Sequence, residues 1–436
     1  MRDLAVQVHS ACQSVSMPHA ISADSLPRAI PTQRVEMPRV RTAPVEPSWR
    51  GRVTLVVRRW APFGTSHAPI TRMANQKKVR YAVVGAGNIA QVAVLPAFQH
   101  AKENSELVAI VSGDSTKRNE LRKKYDLEYD ADYADFEALL TAARVDAVYI
   151  ATPNSNHWDF TERAAKAGVH VLCEKPLALN ADDVQAMQDV CNAAKVKLMV
   201  AYRLHFDEAT LATYEMIANG AIGEARVFES TFTHVVRPGD IRTQPELGGG
   251  ALLDLGVYCI NMARHVFQAE PIQVSAMSVL RDGTDETTTA TLRFPNDRIA
   301  HFTVSNAAAS VASFRVVGTE GDLLCEPAYE YAEAQVHYLT RDEKTKKETY
   351  GKRDQFAPQL IHFSDCVLSD REPKPSADEA YADLRIVDAI ARSAATGEIV
   401  VLEPRRHAYH PRMDQEMKLP AVSKQKPINA PSPSLK

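Results

Sequence analysis

The sequence predicts an α/β protein: a doubly wound parallel sheet first, then an α+β domain with an open, largely antiparallel sheet. Three observations predict it. The apolar run Val79 to Val84 leads through Gly85-Ala86-Gly87-Asn88-Ile89-Ala90 into a helical stretch. Strand-like and helix-like segments then alternate with short links as far as residue 200. Beyond about residue 203 come consecutive strand-like segments joined by turns.

The 436 residues are 45% hydrophobic and 24% charged, with a formal net charge of −3. Such proportions are those of an ordinary globular protein, and the length suits two or three domains. No run approaches the roughly 18 apolar residues of a membrane span. A near-neutral balance argues against a nucleic-acid partner. Six scattered cysteines without a C-x-x-C pair exclude a disulfide scaffold and a cysteine-rich zinc site. They suit a reducing, cytoplasmic compartment. The fourteen histidines show no H-E-x-x-H or comparable spacing, so no metal is expected.

Residues 1–72 are a different material, with ten Arg, no Lys, four acids and eight prolines. They carry +6 against −9 for the remainder. Such composition cannot bury enough surface to offset its ordering entropy, so residues 1–77 read as a disordered extension. An organelle transit peptide is similarly Arg-rich and acid-poor. A twin-arginine export signal at Arg58-Arg59 fits less well, because no apolar stretch follows it. The abrupt appearance of lysine at Lys77 favours a third reading, in which translation begins at Met73.

Residues 78–202 carry the parallel sheet. Val79 to Val84 is short, apolar and bounded by glycine, as a buried parallel strand should be. In the G-x-G-x-x-A match that follows, Gly85 permits a tight turn and Gly87 lets backbone approach a pyrophosphate. Asn88 and Ile89 open the helix, whose N-terminus faces the phosphate charge, and Ala90 keeps it close to the sheet. Strand, motif and helix in this order predict a Rossmann domain that binds a nicotinamide dinucleotide. Further strands are expected at 106–111, 145–150, 169–173 and 197–200, with helices at 91–100, 115–124, 158–167 and 181–194.

The second strand bears on the choice of nicotinamide. An acid at its end would take the ribose 2′-hydroxyl. Asp114 lies two positions beyond that end, whereas Ser112, Lys117 and Arg118 could bind a 2′-phosphate. The reading is NADP, with NAD as the alternative. The plainer account of Lys117 and Arg118 is a solvated helix face.

Ligands sit at the carboxyl ends of parallel strands. Thr152, Asn154 and His157 follow one strand and offer polar groups to a nicotinamide ribose. Glu174-Lys175-Pro176 follows the next, and Tyr202-Arg203 the last. Lys175 could be a plain surface charge, but Pro176 stiffens the backbone there, as suits a side chain that must be aimed. His157, His205 and His234 are possible substrate contacts, or ordinary polar residues near a cleft. After Gly248-Gly249-Gly250, residues 251–267 have helical periodicity, and Asp254 and Tyr258 share a face. Alone they could be a satisfied buried pair. With Lys175 aimed at them they become a proton relay.

On these segments the chain resembles the glucose–fructose oxidoreductase, inositol dehydrogenase and rhizopine-catabolism (Gfo/Idh/MocA) family, over roughly residues 78–402. Glu174-Lys175-Pro176 and the run from Gly248 to Tyr258 are similar to its two hallmarks. The resemblance implies a cis Lys175–Pro176 peptide, a catalytic Lys175, and dimers or tetramers built on the second domain's sheet. Many members carry histidine where this chain has Tyr258. Tyrosine there, with Ser112-Gly113, resembles the branch of glucose–fructose oxidoreductase, xylose 1-dehydrogenase and dihydrodiol dehydrogenase. That branch implies an NADP-dependent enzyme acting on a sugar or polyol, most simply at an anomeric carbon. A dihydrodiol or inosose dehydrogenase, and a non-catalytic cofactor sensor, are the alternatives.

Oxidising an alcohol requires a base while hydride leaves for the nicotinamide. Tyr258 backed by the Lys175 ammonium could serve, with Asp254 orienting substrate or lysine. Alternatively a desolvated Lys175 is the base and Tyr258 polarises the substrate oxygen. The sequence leaves both open.

Residues 203–402 form the second domain, with strands expected at 227–233, 272–280, 287–294, 299–306 and 313–318. Arg-Asp-Gly at 281–283 and Pro-Asn-Asp at 295–297 are turn signals. Helices are expected at 359–368 and 378–395, and a short last strand at 398–402. Residues 403–436 read as a flexible tail.

Overall fold

The computed structural model describes residues 77–435, so the Arg-rich extension, Arg58-Arg59 and Met73 lie outside the described residues. No described helix is long and apolar enough to cross a membrane.

The first sheet has six parallel strands, β1 (Val79–Val84), β2 (Ser105–Val111), β3 (Tyr129–Ala131), β4 (Ala147–Ile150), β5 (His170–Glu174) and β6 (Leu198–Ala201). Their spatial order is β3-β2-β1-β4-β5-β6. Helices α1 (Leu95–Ala101), α2 (Ser115–Tyr125), α3 (Phe136–Ala142), α4 (His157–Lys166) and α5 (Ala181–Ala194) make the crossovers. Val83, Val84, Val148, Ile150, Val171 and Leu172 are fully buried, which is why these strands read as unbroken apolar runs. The order reverses between β1 and β4, and that switch point opens a crevice at the strands' carboxyl ends.

Two elements here were not anticipated. β3 is only three residues long and gives periodicity nothing to act on. α3 buries Phe136, Leu139 and Leu140, a spacing legible in retrospect. The first helical stretch runs over residues 88–101 and covers the expected 91–100, its Ala90–Val94 segment being wound wider than an α-helix.

The second domain opens with α6 (Glu208–Ala218), capped by the Asp207 side chain on Thr210 N. Its sheet comprises β7 (Ala225–Val235), β8 (Gln273–Arg281), β9 (Thr284–Phe294), β10 (Arg298–Ser305), β11 (Ala307–Gly318), β12 (Gly321–Cys325), β13 (Gln335–Arg341), β14 (Lys344–Tyr350) and β15 (Val400–Val401). The order is β14-β13-β12-β11-β7-β10-β9-β8-β15. Pairing is antiparallel throughout except where β10 returns beside β7 in parallel. Strands β12 to β14 exceed the expectation, because β14 is almost wholly polar and lies at an edge. Helices α7 (Val257–Phe267), α8 (Ala357–Leu368) and α9 (Ala377–Thr396) follow the predicted segments. α7 and α9 cover one face of the sheet, and alternation leaves Met277, Val279, Ile299 and Val401 exposed on the other.

Residues 403–435, expected as a flexible tail, have a single short helical turn, at Met413–Gln415, and make specific contacts with the rest of the chain. Arg353 pairs with Glu416, Gln415 Nε2 donates to the His205 carbonyl at 3.3 Å, and Asn88 Nδ2 donates to the Ala430 carbonyl at 2.8 Å. Composition reports the lack of regular structure. Partners brought by the fold supply the order.

Candidate active site

The crevice begins at the glycine turn. Gly85 has φ +97°, and a Cβ there would sit 2.5 Å from the Ala151 carbonyl oxygen. Only glycine lets β1 turn so close to β4. A Cβ on Gly87 would meet nothing nearer than 3.9 Å, so the space in front of it is open. Beside the turn, the Thr152 hydroxyl is buried without a hydrogen-bond partner among the described residues. An open cradle at a helix N-terminus with an unsatisfied hydroxyl alongside fits a dinucleotide's pyrophosphate and ribose.

At the adenosine end, the Asp114 carboxylate caps α2, accepting from Thr116 N at 2.9 Å and Lys117 N at 3.1 Å. The Lys117 amide is the main cause that holds its pKa below the ordinary value. Ser112 is buried beneath it, and its hydroxyl accepts from Asp114 N at 3.3 Å. Lys117 Nζ is 3.9 Å from Asp114, an attachment loose enough to leave the ammonium available. Arg118 is committed elsewhere, to Asp130 at 3.4 Å and Asp132 at 2.9 Å.

At the other end, Lys175, Asp254 and Tyr258 meet. Lys175 leaves the end of β5 through a cis Lys175–Pro176 peptide. Its ammonium donates to the Asp254 backbone carbonyl at 2.8 Å, lies 3.5 Å from the Asp254 carboxylate, and stands 4.5 Å from the centre of the Tyr258 ring. Asp254 sits on a wide turn, Leu252–Gly256, that runs directly into α7, where Tyr258 occupies the first turn. Gly250, with φ +121°, makes the approach possible, because a Cβ there would collide with Asp285 at 2.1 Å. Asp285 in turn accepts from Leu252 N at 2.7 Å and fixes the start of that turn.

A fourth member was not foreseen. Arg242, on the loop after β7, donates from Nε to Asp254 Oδ2 at 2.6 Å and from Nη1 to Asp240 at 3.1 Å. Burial would raise the Asp254 pKa, but the Arg242 guanidinium, with Lys175 and His234, holds it well below the carboxylate range. His234 Nε2 lies 3.7 Å from the same carboxylate. Loop 236–247 carries no periodicity, so nothing in the sequence marked Arg242.

The remaining expected site residues divide. Arg203 is buried behind Tyr258, its guanidinium carbon 5.1 Å from that ring's centre and 5.2 Å from Tyr331's. It backs the phenol instead of lining the dinucleotide groove. Glu174 accepts from the Tyr149 hydroxyl at 2.7 Å, and burial raises its pKa. Asn154 donates to the Gly248 carbonyl at 2.8 Å, tying the two hallmark loops together. His157 is corrected: it is fully buried, with ring nitrogens 2.9 Å from the Pro176 carbonyl and 3.2 Å from that of Thr152. It braces the lysine's loop from behind and cannot reach a cofactor. Tyr202 is corrected likewise, since its hydroxyl turns into the second domain and donates to Asp383.

His205 also belongs to that interior. His205, His265 and Glu379 bring candidate ligand atoms within 4.8 Å of one another. Arg264 already occupies Glu379 at 2.7 Å, and it also pairs with Glu270 at 2.8 Å and with Asp383. This ion-paired core anchors α7, and therefore Tyr258, to α9.

Comparison with known proteins identifies the family and agrees with the fold. Residues 79–202 match a model described as an oxidoreductase family with an NAD-binding Rossmann fold, and residues 210–324 match the GFO/IDH/MocA C-terminal domain. A protein named D-xylose 1-dehydrogenase (NADP(+)) 2, from Haloferax volcanii, is 32% identical over 74% of this chain and 99% of its own. An aldose–aldose oxidoreductase from Caulobacter crescentus, crystallised with glycerol, superposes with a TM-score of 0.71 at 32% identity, covering 75% of this chain and 100% of that one. A 3-ketoreductase from Actinomadura kijaniata, in complex with NADP and TDP-benzene, gives 0.68 at 29% identity, covering 73% and 98%.

Proposed function

The chain belongs to the Gfo/Idh/MocA oxidoreductases, and from that premise we propose that it is an NADP-dependent dehydrogenase oxidising a cyclic aldose at its anomeric carbon. The observation that carries the reading is the position of Lys175. Its ammonium is lodged between the Asp254 carbonyl and the face of Tyr258, at the carboxyl end of β5, two strands along from the glycine turn. Similarity to an NADP-dependent D-xylose 1-dehydrogenase and to an aldose–aldose oxidoreductase supports the substrate class. Lys117, near Ser112 and only loosely attached to Asp114, supports NADP over NAD.

Bound dinucleotide supplies a hydride acceptor. The rest falls to this chain. Tyr258 faces the sugar hydroxyl, and the proton leaves through Tyr258 and Lys175. Two cations close to the ring, Lys175 and Arg203, stabilise negative charge building on the phenolic oxygen. Asp254 does not exchange protons; Arg242 keeps it ionised, and it holds Lys175 in place. The products are a lactone and the reduced dinucleotide, with one proton released.

The exposed apolar side chains on the outer face of the second sheet, Met277 (72%) and Val401 (69%) with Val279 and Ile299, support a homodimer formed across it. The five described cysteines are unpaired and buried, in keeping with a reducing compartment. Titration with NADP+ and NAD+, followed by a panel of pyranoses and polyols monitored by reduced-nicotinamide absorbance, tests the activity. Turnover with an aldopyranose and NADP+ is expected. Dinucleotide binding without turnover of any sugar or polyol would replace the enzyme with a cofactor sensor.

A further inference from the structure

We propose that the C-terminal segment 425–435 is part of the dinucleotide site, forming the outer wall of its groove and holding the cofactor in. The inference rests on the reading of that groove as an NAD(P) site. The segment runs the length of the groove. Asn429 Nδ2 reaches Asp114 Oδ2 at 3.5 Å, beside Ser112 and Lys117 at the adenosine end. Asn88, within the glycine motif, donates its side-chain amide to the Ala430 carbonyl at 2.8 Å. Gln91 grips Ile428 twice, accepting from its N–H at 2.7 Å and donating to its carbonyl at 2.9 Å, while also donating to the Ala86 carbonyl of the glycine turn at 2.9 Å.

The same segment then pairs with the end of β7 at the substrate side. Arg237 N donates to the Pro433 carbonyl at 2.8 Å, and Leu435 N donates to the Val235 carbonyl at 2.9 Å. Ser434 Oγ lies 3.3 Å from His234 Nδ1, and His234 Nε2 is 3.7 Å from Asp254. One strand of chain therefore touches the 2′-substituent end, the pyrophosphate turn and the catalytic edge.

It lies over the groove and does not fill it. Its bonds use the side-chain amides of Asn88 and Gln91 and the edge of β7. Its backbone bonds to none of the Gly87, Asn88 or Ile89 amides that a pyrophosphate requires. Pro427, Pro431 and Pro433 stiffen it, so less entropy is lost when it settles. A handful of hydrogen bonds set against the ordering of a dozen residues leaves the strap able to open, which entry of the cofactor demands. Its base is fixed further back, where Arg353 pairs with Glu416.

The test compares the full chain with a variant ending at Lys424. NADPH is bound to each and chased with excess NADP+, and release is followed by nucleotide fluorescence. We expect the shortened chain to release NADPH about tenfold faster or more, the change lying mainly in the off-rate. Equal release overturns the strap. Slower release or tighter binding overturns it too, and makes the segment a plug. Hydrogen exchange on the full chain decides independently should the shortened chain misfold. The Arg237 and Leu435 amides should gain protection when NADP+ binds, and unchanged exchange there overturns the proposal. A full chain that binds neither NADP+ nor NAD+ overturns the reading of the groove, and the strap with it.

Discussion

Arg242 Nε lies 2.6 Å from Asp254 Oδ2, and the far side of the same residue, its backbone carbonyl, takes the Lys175 ammonium at 2.8 Å. Asp254 thus links a loop arginine to the lysine proposed as catalytic. Arg242→Gln should lower kcat about tenfold to a hundredfold, the range for losing a charge-assisted hydrogen bond. Arg242→Lys should recover part of the loss. A merely structural role would lower melting temperature and leave the pH–rate profile in place; the positioning role shifts that profile.

Lys175→Met and Tyr258→Phe should each lower turnover by ~10²-fold or more, as expected for proton-transfer groups. Dinucleotide affinity should be nearly unchanged in both, because neither side chain lies at the glycine turn. Near-normal turnover in both variants would remove the relay.

Gly85 and Gly87 should respond differently to alanine. Gly85→Ala forces a Cβ to 2.5 Å from the Ala151 carbonyl at positive φ, so the fold itself should lose on the order of 2 kcal/mol. Gly87→Ala meets nothing within 3.9 Å, so melting should hold while dinucleotide Kd rises about tenfold. Thermal melts paired with nucleotide titrations separate the two. Equal behaviour would mean that the cradle in front of Gly87 is not the phosphate site.

The interior behind α7 makes the fold acid-sensitive. Burial is the chief cause that brings His205 down to about 4 and His265 to about 3, despite Glu379 beside both. An unfolded histidine titrates near 6.5. As pH falls from about 6.5 towards 4, the unfolded chain takes up protons that the native chain refuses, so stability drops. Glu270 adds to this at lower pH: burial opposes it, but His407 and Arg264 bring it to about 2, a contribution lost as pH falls below the ordinary carboxylate range. Melting temperature should be flat above pH 7 and decline from pH 6 to 4. A melting temperature constant across that window would contradict the assignment.

The outer sheet face gives a further expectation. Met277→Asp with Val279→Asp should convert a dimer into a monomer by light scattering, since alternation along β8 leaves both side chains exposed on the outer face. Wild-type chain that is already monomeric would remove this interface.

Much of the first domain was legible in the sequence because its strands are buried on both faces and announce themselves as apolar runs closed by glycine. Gly85 was legible for the same reason; Lys175, Asp254 and Tyr258 were expected from their places after a strand and on one helix face, together with the family resemblance, and the fold brings the three together. What could not be read depends on partners distant in the chain. His157 looks like a polar residue after a strand, and only the fold shows that Pro176 and Thr152 enclose it. Tyr202 likewise finds Asp383, 181 residues away. Arg242 and the closing segment lie on irregular backbone, where no periodicity exists and order comes from what the chain meets.

The central claim is that hydride leaves the anomeric carbon of a sugar held against Tyr258. D-xylose or D-glucose deuterated at C1 tests it most directly, by mass spectrometry of both products after a single turnover with NADP+. Deuterium recovered in the reduced dinucleotide, with an unlabelled lactone, is the predicted result. Deuterium retained in the oxidised sugar would place the chemistry at another carbon and contradict the account.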